Sequence, residues 1–292
     1  AIVTKDFRIH NARQFSESFG ESADTYYLAI GRPQAFANDQ AFNDGTDTSP
    51  PTPVDSVGSV DYYVYDDLLS AKKVSSSDVS LVIPRKNWTT GTTYDYYRHD
   101  YGEINSAGST ITANSGATTL LDSNFYVMNS DFDVYKVIDN NGDSASTTEP
   151  SGNKSTSVFS TADSYKWKYM YSLTASEQAN FLSTDFMHVS TNATDISTTA
   201  GAIEHVKITA GGSGGTNGTY TGVNIRGDGS SGTATVVVSG NAVTSVTITA
   251  AGSGYTYASI LASDIGGTSG ADIDFIISPP GGHGSDAVAE LG

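Results

Sequence analysis

The chain has 292 residues, a formal net charge of −17 and no cysteine, and these totals exclude several classes of protein. A chain of this length can bury one large or two modest hydrophobic cores. Disulfide scaffolds and thiolate metal sites are excluded, and the absence of cysteine suits a reducing cytosol. Nucleic-acid wrapping and anionic-membrane binding are disfavoured, because both require clustered Lys and Arg. The 17 Tyr, 11 Phe and low charged fraction of 16% favour β-strands joined by tight turns.

The sequence shows no pattern typical of a membrane span or a secretion signal. No apolar run approaches the ~20 residues that cross a bilayer, so no membrane partner is expected. The opening from Ala1 to Lys5 lacks the hydrophobic region of a signal peptide. Positive charge is distributed unevenly, since only Lys207 and Arg226 of the 15 Lys and Arg residues lie after residue 200.

The first predicted elements are a helix and a strand. From Asp6 to Phe19, apolar side chains recur at helical spacing. Asp6 is the expected N-terminal cap, and Gly20 is expected to end the helix in a left-handed conformation. The run from Tyr26 to Ile30 predicts a buried strand that ends at Gly31.

A polar loop and two further helices are predicted next. Residues 34–58 end in a proline-rich stretch, whose density of proline disfavours both a helix and a central strand. From Ser59 to about Lys72, apolar residues share one helical face. A short third helix is expected to begin at Ser77 and to end before Pro84.

From about residue 94 the pattern changes to strands. Residues Asn124 to Met128 and Val134 to Ile138 predict two strands that are joined around Ser130. From Tyr165 to Leu173, aromatic residues alternate with lysines and other side chains. This period of two predicts a strand with an aromatic inner face and its lysines on the outer face. Residues 139–157 are predicted to form a polar loop.

After about residue 200 the sequence repeats itself. The run from Val206 to Gly214 recurs 40 residues later, from Val246 to Gly254. A second run, from Gly232 to Val238, corresponds to Gly270 to Ile276. Each unit contains a strand, a Gly-Ser turn, an irregular middle and a second strand. Two such units predict one small all-β module.

The repeat contains the pattern G-x-G-x-x-G at residues 227–232. A dinucleotide site requires this turn to open a helix whose N-terminus faces the pyrophosphate. The residues that follow, Thr233 to Val238, are β-branched and predict a strand instead. The glycines are therefore interpreted as turn residues, and no cofactor is expected.

Metal and catalytic motifs are weak throughout the chain. Residues Asp139 to Asp143 resemble part of a calcium loop, but the ligand spacing and the final Glu are wrong, which favours a polar turn. No two of the five histidines have the spacing of a metal pair. A carboxylate pair of the glycosidase type is not excluded by counting, but no pair is singled out. The prediction is that the chain has no metal, no small-molecule substrate and no catalytic residues.

A tyrosine-rich stretch, Tyr94 to Tyr101, is the most prominent candidate contact site and is called the aromatic segment below. Tyr and Arg are enriched where proteins anchor one another, so the segment predicts an interface. An equally good interpretation is that its tyrosines line the chain's own core. The candidate interface residues are Trp88, Tyr94, Tyr96, Tyr97, Arg98 and Tyr101.

Several segments in order resemble the gene-8-type baseplate wedge subunit of T-even-type contractile-tailed bacteriophages. The most specific of them is Val82 to Trp88. The other similar segments are residues 1–8, 27–32, 50–57, 135–139 and 164–171. The repeat departs from the T-even pattern and is similar to Gly-rich β-modules of cyanobacterial myophage structural proteins.

The resemblance implies a mainly β fold with a few short helices. It implies a β-sandwich-like core domain at residues 1–200, an inserted two-unit repeat module at 201–278, and a return segment at 279–292. The family continues beyond that point, so the last segment of its core is expected to be missing here.

The resemblance also implies a structural role. The protein is expected to form a homodimer, to bind neighbouring wedge proteins and to be repositioned when the baseplate switches and the sheath contracts. It would be assembled in the host cytoplasm and located in the virion. Neither nucleic acid nor enzyme activity is expected.

Two hypotheses of other classes remain open at the level of sequence. Tyr255 and Tyr257 in the repeat would stack on sugars if exposed, as in a carbohydrate-binding receptor module. The alternative is that both tyrosines pack on turns of the module. A polysaccharide-cleaving tail enzyme is the third hypothesis, although no group of residues in the sequence points to it.

Overall fold

The computed structural model describes residues 4–21, 23, 25–31, 46, 48–49, 68–105, 108–154, 157–191 and 199–292. The predicted loop at 34–58 and the first part of the predicted helix at 59–72 lie almost wholly outside these residues. The chain forms two compact units, one of Ala1–Ile9 with Leu81–Gly292 and the other of His10–Ser80.

The described residues are mainly β with a few short helices, which confirms the predicted fold class. The helices are α1 (Lys5–Ser18), α2 (Ala175–Phe181) and α3 (Ala287–Leu291), with 3-10 turns at Ser76–Asp78 and Ala262–Ile265. None of the helices described here is both long and apolar enough to cross a membrane.

The strands before residue 200 are β1 (Tyr26–Gly31), β2 (Leu68–Val74), β3 (Val82–Pro84), β4 (Tyr126–Met128), β5 (Asp133–Asp139), β6 (Phe159–Ser160), β7 (Lys166–Ser172) and β8 (Phe186–His188). Those after it are β9 (Ile203–Ser213), β10 (Gly218–Asn224), β11 (Arg226–Gly227), β12 (Ser230–Ser239), β13 (Ala242–Ser253), β14 (Ala258–Ser259) and β15 (Ser269–Ile277).

Helix α1 forms where the sequence predicts it, but its ends differ from the prediction. Thr4 rather than Asp6 is the cap, since the Thr4 hydroxyl accepts a hydrogen bond from the Phe7 backbone N–H at 3.3 Å. Gly20 follows the helix and donates to the Glu17 carbonyl, but it is not among the residues with positive φ. The predicted left-handed end is therefore wrong.

The unit His10–Ser80 contains an antiparallel ribbon of β1 and β2. The prediction that residues 26–30 are a buried strand is right about the strand and wrong about the burial, since Leu28 is 60% exposed. Residues 68–72 are in strand β2, not in the predicted helix. The third predicted helix is only the 3-10 turn Ser76–Asp78, and the residues before Pro84 are strand β3.

The first hydrophobic core is built on a four-stranded antiparallel sheet with the order β4-β5-β7-β6. Strands β4 and β5 confirm the predicted pair, and β7 confirms the aromatic strand. Trp167 and Tyr165 are fully buried, as predicted for the inner face. The prediction that the lysines face outward fails at Lys168, which is also fully buried, because both faces of β7 are covered.

The segment after residue 278 packs back on this first core. Ala287, Val288 and Leu291 of α3 join its buried residues. Glu290 of the same helix forms a buried ion pair with Lys136 of β5, and its other oxygen accepts a hydrogen bond from the Gly284 N–H at 2.6 Å. The chain thus returns to the sheet through a pair of charges as well as through apolar contacts.

The two repeat units build a second hydrophobic core by exchanging strands. Strand β9 from the first unit pairs with β15 from the second, and β12 from the first pairs with β13 from the second. Strand β10 completes a three-stranded sheet on the outer side of β12. The β9–β15 and β12–β13 pairs therefore join different units, whereas β10 and β12 pair within the first unit. These residues, 201–278, are called the repeat module below.

Glycine is required at matching positions in the two repeats. Gly212 and Gly252, which are 40 residues apart, have φ of 69° and 62°. A Cβ on Gly212 would lie 2.6 Å from the Ala271 nitrogen, and one on Gly252 would lie 2.5 Å from the Ser230 carbonyl oxygen. Left-handed backbone and close approach together leave no room for another residue.

The two ends of the repeat module lie side by side. Ile203 is paired with Ile277, and the Ser278 N–H donates to the Ala202 carbonyl at 2.8 Å. The Ala202 N–H in turn donates to the Ser278 hydroxyl at 2.8 Å. Two adjacent crossings therefore connect the second core to the first. The division at residues 200 and 278 stays a prediction, since both cores belong to the same compact unit.

Candidate functional site: the aromatic segment and the junction of the two cores

The aromatic segment begins inside the first hydrophobic core. Tyr94 is 1% exposed, and its ring packs edge-on against Trp167 with centroids 6.1 Å apart. Its hydroxyl donates to the Thr89 carbonyl at 3.2 Å, and its backbone N–H donates to the Tyr165 hydroxyl at 3.2 Å. Each polar group of this buried tyrosine named here has a partner, as burial requires.

Asp95 and Tyr97 continue the segment as buried anchors. The Asp95 carboxylate accepts hydrogen bonds from the Ser115 N–H at 2.9 Å and from the Asn124 N–H at 2.7 Å. The Tyr97 ring lies between Lys136, whose ammonium is 4.6 Å from the ring centroid, and His283 at 4.9 Å. Burial lowers the pKa of His283 well below its usual value, so this imidazole is neutral near pH 7.

Arg98 is the centre of the junction between the two cores. Its guanidinium binds Asp100 with two hydrogen bonds, from Nε at 2.7 Å and from Nη2 at 2.8 Å. Nη1 donates to Asp274 of strand β15 at 2.9 Å, across the junction. Burial alone would raise the pKa of Asp100, but the hydrogen bonds and charge of Arg98 outweigh it and lower that pKa.

Two histidines flank Arg98 at the junction. The His99 Nδ1 atom accepts a hydrogen bond from the Ile277 N–H at 3.3 Å, which a protonated Nδ1 cannot do. The His205 ring packs edge-on against Tyr96 with centroids 5.5 Å apart. Burial lowers the pKa of both imidazoles, that of His205 to about 4 despite the nearby Asp139 carboxylate.

The rim of the junction carries opposite charges on its two sides. Lys207 of the module lies 5.3 Å from the centre of the Tyr96 ring and 3.5 Å from the Asp143 carboxylate. Asp139 of the first core lies 3.4 Å from His205 Nδ1 and 3.3 Å from the Lys166 ammonium. The junction is therefore polar, with charged groups of both signs around a buried arginine.

The structure places the six candidate interface residues in two groups. Tyr94, Tyr96, Tyr97 and Arg98 are buried, so they line the chain's own interior, the second of the two interpretations that the sequence left open. Tyr101 is half-buried and donates to the Tyr96 carbonyl at 2.8 Å. Trp88 is half-buried too, and its indole N–H donates to the Ser146 hydroxyl at 3.1 Å. Contact of any of the six with another protein stays a prediction.

The G-x-G-x-x-G glycines surround the ring of Tyr255. A Cβ on Gly229 would lie 2.4 Å from this ring, and one on Gly232 would lie 2.8 Å from its hydroxyl. The hydroxyl donates to the Ile225 carbonyl at 3.0 Å and accepts from the Gly232 N–H at 3.1 Å. Strand β12 begins inside the motif, at Ser230, and contains the predicted strand residues Thr233 to Val238, so no helix opens there.

The two tyrosines proposed to stack on sugars, Tyr255 and Tyr257, differ in their exposure to solvent. Tyr255 is 2% exposed, so the prediction that it presents its face to a ligand is wrong; Tyr257 is 62% exposed. Asp228 fixes the turn beside them, since its carboxylate accepts from the Thr256 N–H at 2.8 Å and from the Thr256 hydroxyl at 2.6 Å.

The calcium-like run forms a tight turn between β5 and the following loop. Asn141, Gly142 and Asp143 all have positive φ, and the Asn140 amide donates to the Asp143 carboxylate at 2.8 Å. Within the described ranges, no three His, Asp or Glu residues are grouped as metal ligands would be.

The fold and this junction define a mainly β protein in which two hydrophobic cores are joined by buried polar contacts. Residues 1–144, just under half of the chain, match the family model described as Bacteriophage T4, Gp8. This confirms the resemblance drawn from the sequence: the chain is gene-8-like, similar to a baseplate wedge subunit. The repeat module lies outside the matched residues. No curated protein matches the chain.

Two features of the site escape sequence reasoning. The pairing of Arg98 with Asp274 spans 176 positions, and that of Lys136 with Glu290 spans 154. The only local signal is a lysine or an arginine within an aromatic run, at positions where burial requires a carboxylate partner. Nothing in the sequence indicates which carboxylate supplies it.

Proposed function

We propose that this protein is a structural subunit of a phage baseplate wedge, which binds a second copy of itself and neighbouring wedge proteins. The observation that carries the proposal is the match of residues 1–144 to the gene-8 family. In this role the molecule acts through the fit of its surfaces and is moved as a whole when the baseplate switches and the sheath contracts. Its place is in the tail baseplate of the virion, after assembly in the host cytoplasm.

The interior of the protein suits such a role. The buried ion pair Lys136–Glu290 and the part-buried ion pair Arg98–Asp274 tie distant parts of the chain together. Breaking a buried pair by removing one partner costs about 3–5 kcal/mol, so these contacts favour one arrangement of the chain. Rigid subunits transmit displacement, whereas the switch itself takes place at interfaces that have two stable arrangements.

The half-buried members of the candidate set are the proposed contact points. Trp88 and Tyr101 are only half-buried and lie next to the buried part of the site. Aromatic residues of this kind often supply a large share of the binding energy in protein interfaces. In this proposal their exposed edges face a neighbouring subunit.

Co-expression with the other wedge proteins of the same phage tests this function. We expect the chain to elute with them in a fixed stoichiometry, measured by size-exclusion chromatography with light scattering, and to be a dimer when alone. Tyr101→Ala should weaken one of these associations, whereas Tyr257→Ala, which alters an exposed tyrosine of the module, should not. A monomer that binds none of the wedge proteins, or that hydrolyses a host polysaccharide, would contradict the proposal.

A further inference from the structure

We propose that Arg98 fixes the orientation of the repeat module relative to the first core, through its hydrogen bond to Asp274. This role of Arg98 is called the orientation lock below. Loss of that bond would leave the module free to pivot about the adjacent crossings at Ala202 and Ser278. The inference deepens the proposed function, because it names the residue that makes the two cores move as one body.

The geometry of Arg98 gives it two separate roles. One edge of the guanidinium is held by Asp100, two residues away, through a pair of parallel hydrogen bonds. This fork-to-fork geometry fixes the plane and direction of the guanidinium group. The remaining nitrogen, Nη1, then donates to Asp274 on strand β15 of the module. Asp100 therefore orients the Arg98 guanidinium, and Asp274 accepts the hydrogen bond that Arg98 donates across the junction.

The connection between the cores explains why a lock is needed. The module is attached by two neighbouring stretches of backbone, at Ala202 and Ser278, which lie within hydrogen-bond distance of each other. Two crossings so close together fix the position of the module's base but resist rotation about that base only weakly. Side-chain contacts away from the crossings must therefore set the direction.

The contacts at the junction are unequal in strength. Tyr96 and His205 contact each other only through their rings. The Lys207–Asp143 ion pair is 3.5 Å long and half-exposed. The ion pair is worth little because water and salt screen it, and the ring contact has no directional charged bond. The Arg98 side chain is 5% exposed, and its bond to Asp274 is a short charge-assisted hydrogen bond. Of the contacts named here that cross the junction, it is the only ion pair shorter than 3 Å.

Asp274→Asn is the sharpest test, because it leaves the Arg98–Asp100 pair intact and weakens only the bond across the junction. The absence of native cysteine allows spin labels to be placed at Ala179→Cys on α2 and Thr247→Cys on β13. Both sites are exposed, and each lies on one side of the junction. Pulsed electron-electron double resonance then reports the distribution of distances between the two cores.

The parent protein should give one narrow distance distribution, and Asp274→Asn should broaden it or add a second maximum. Arg98→Lys, which keeps the charge but loses the fork, should broaden it as well. The matched control is Arg226→Ala, which removes an exposed Arg–Asp pair inside the module at 3.2 Å. This control should leave the distribution unchanged.

Two outcomes would overturn the lock. One is a narrow, unchanged distribution in both Asp274→Asn and Arg98→Lys when circular dichroism shows both variants to be folded. The other is equal broadening in Arg226→Ala, which would mean that any lost ion pair loosens the molecule. If one of the two junction variants fails to fold, the distance distribution of the other variant decides whether the lock exists. Since the measurement uses the isolated protein, its outcome is independent of whether the protein binds other wedge subunits.

Discussion

At the scale of single residues, the interior of this protein contains charges that are matched across long stretches of sequence. Lys136 and Glu290 are fully buried or nearly so, at 0% and 3% side-chain exposure. One Glu290 oxygen binds Lys136 of the sheet and the other accepts the Gly284 N–H, so the carboxylate joins the sheet, the last helix and the turn before that helix. Burial of charge is tolerated here because the partners are in contact.

Glu290→Gln should destabilise the first core by about 3–5 kcal/mol, because Lys136 would keep its charge and lose its anionic partner. Unfolding in urea, followed by tryptophan fluorescence, measures this directly, since Trp88 and Trp167 both lie in or against the first core. Lys72→Gln is the control. It removes an ion pair whose lysine is 68% exposed, and it should cost far less than Glu290→Gln. Equal losses in the two variants would contradict the account.

His205 should make the protein sensitive to acid. Its pKa is lowered by burial to about 4 in the folded state, from an ordinary value of 6.5. The unfolded chain therefore takes up this proton first, so the stabilisation is complete above pH 6.5 and is lost as the pH falls toward 4. The corresponding free energy is roughly 3 kcal/mol.

The free energy of unfolding of parent and His205→Gln, measured from pH 7 to pH 4, tests this prediction. The difference in stability between the two proteins should shrink toward acid, because glutamine takes up no proton. A difference between parent and His205→Gln that is independent of pH would show that His205 does not titrate in this window.

At the scale of elements, the repeat module shows how glycine fixes the shape of a strand turn. Gly252 and Gly240 have nearly the same left-handed φ, 62° and 63°. They differ in surroundings, because a Cβ on Gly252 would lie 2.5 Å from the Ser230 oxygen, whereas Gly240 has nothing within 4 Å. Substitutions at Gly252 and Gly240 therefore distinguish the cost of backbone strain, which both share, from the cost of steric contact, which only Gly252 has.

Gly252→Ala should destabilise the module clearly more than Gly240→Ala. The strain common to both is about 1–2 kcal/mol, and the contact with the Ser230 carbonyl adds to it only at Gly252. Thermal unfolding followed by circular dichroism measures the two losses. Equal shifts in melting temperature would mean that the close approach at Gly252 is relieved at no cost.

The sequence predicted elements well where their pattern was periodic and poorly where burial decided the outcome. Strand β7 and helix α1 follow from alternation and helical spacing. The helix predicted through residue 72 is wrong from Leu68 onward, because the same apolar residues pair with β1 as a strand. Helical spacing of apolar residues does not exclude an exposed ribbon, where pairing with a neighbouring strand decides the conformation.

At the scale of the whole molecule, the mainly β class was predictable and the arrangement of strands was not. The repeat indicated two similar units, yet the strands pair between the units, as β9 with β15 and β12 with β13. Self-similarity in a sequence gives the length of a unit but not its pairing partner. The aromatic segment was visible as a candidate site, but only the structure shows that Arg98 spans two cores.

We propose that this gene-8-like chain is a rigid component of the tail baseplate. Cryo-electron microscopy of virus particles tests it most directly, with a short tag inserted between Gly240 and Asn241, in the exposed turn that joins β12 to β13. Exposed turns of this kind usually tolerate insertions. We expect tag density in the plate at the end of the tail, at the same position in every wedge. Tag density on the capsid, or particles that lack the protein altogether, would contradict it.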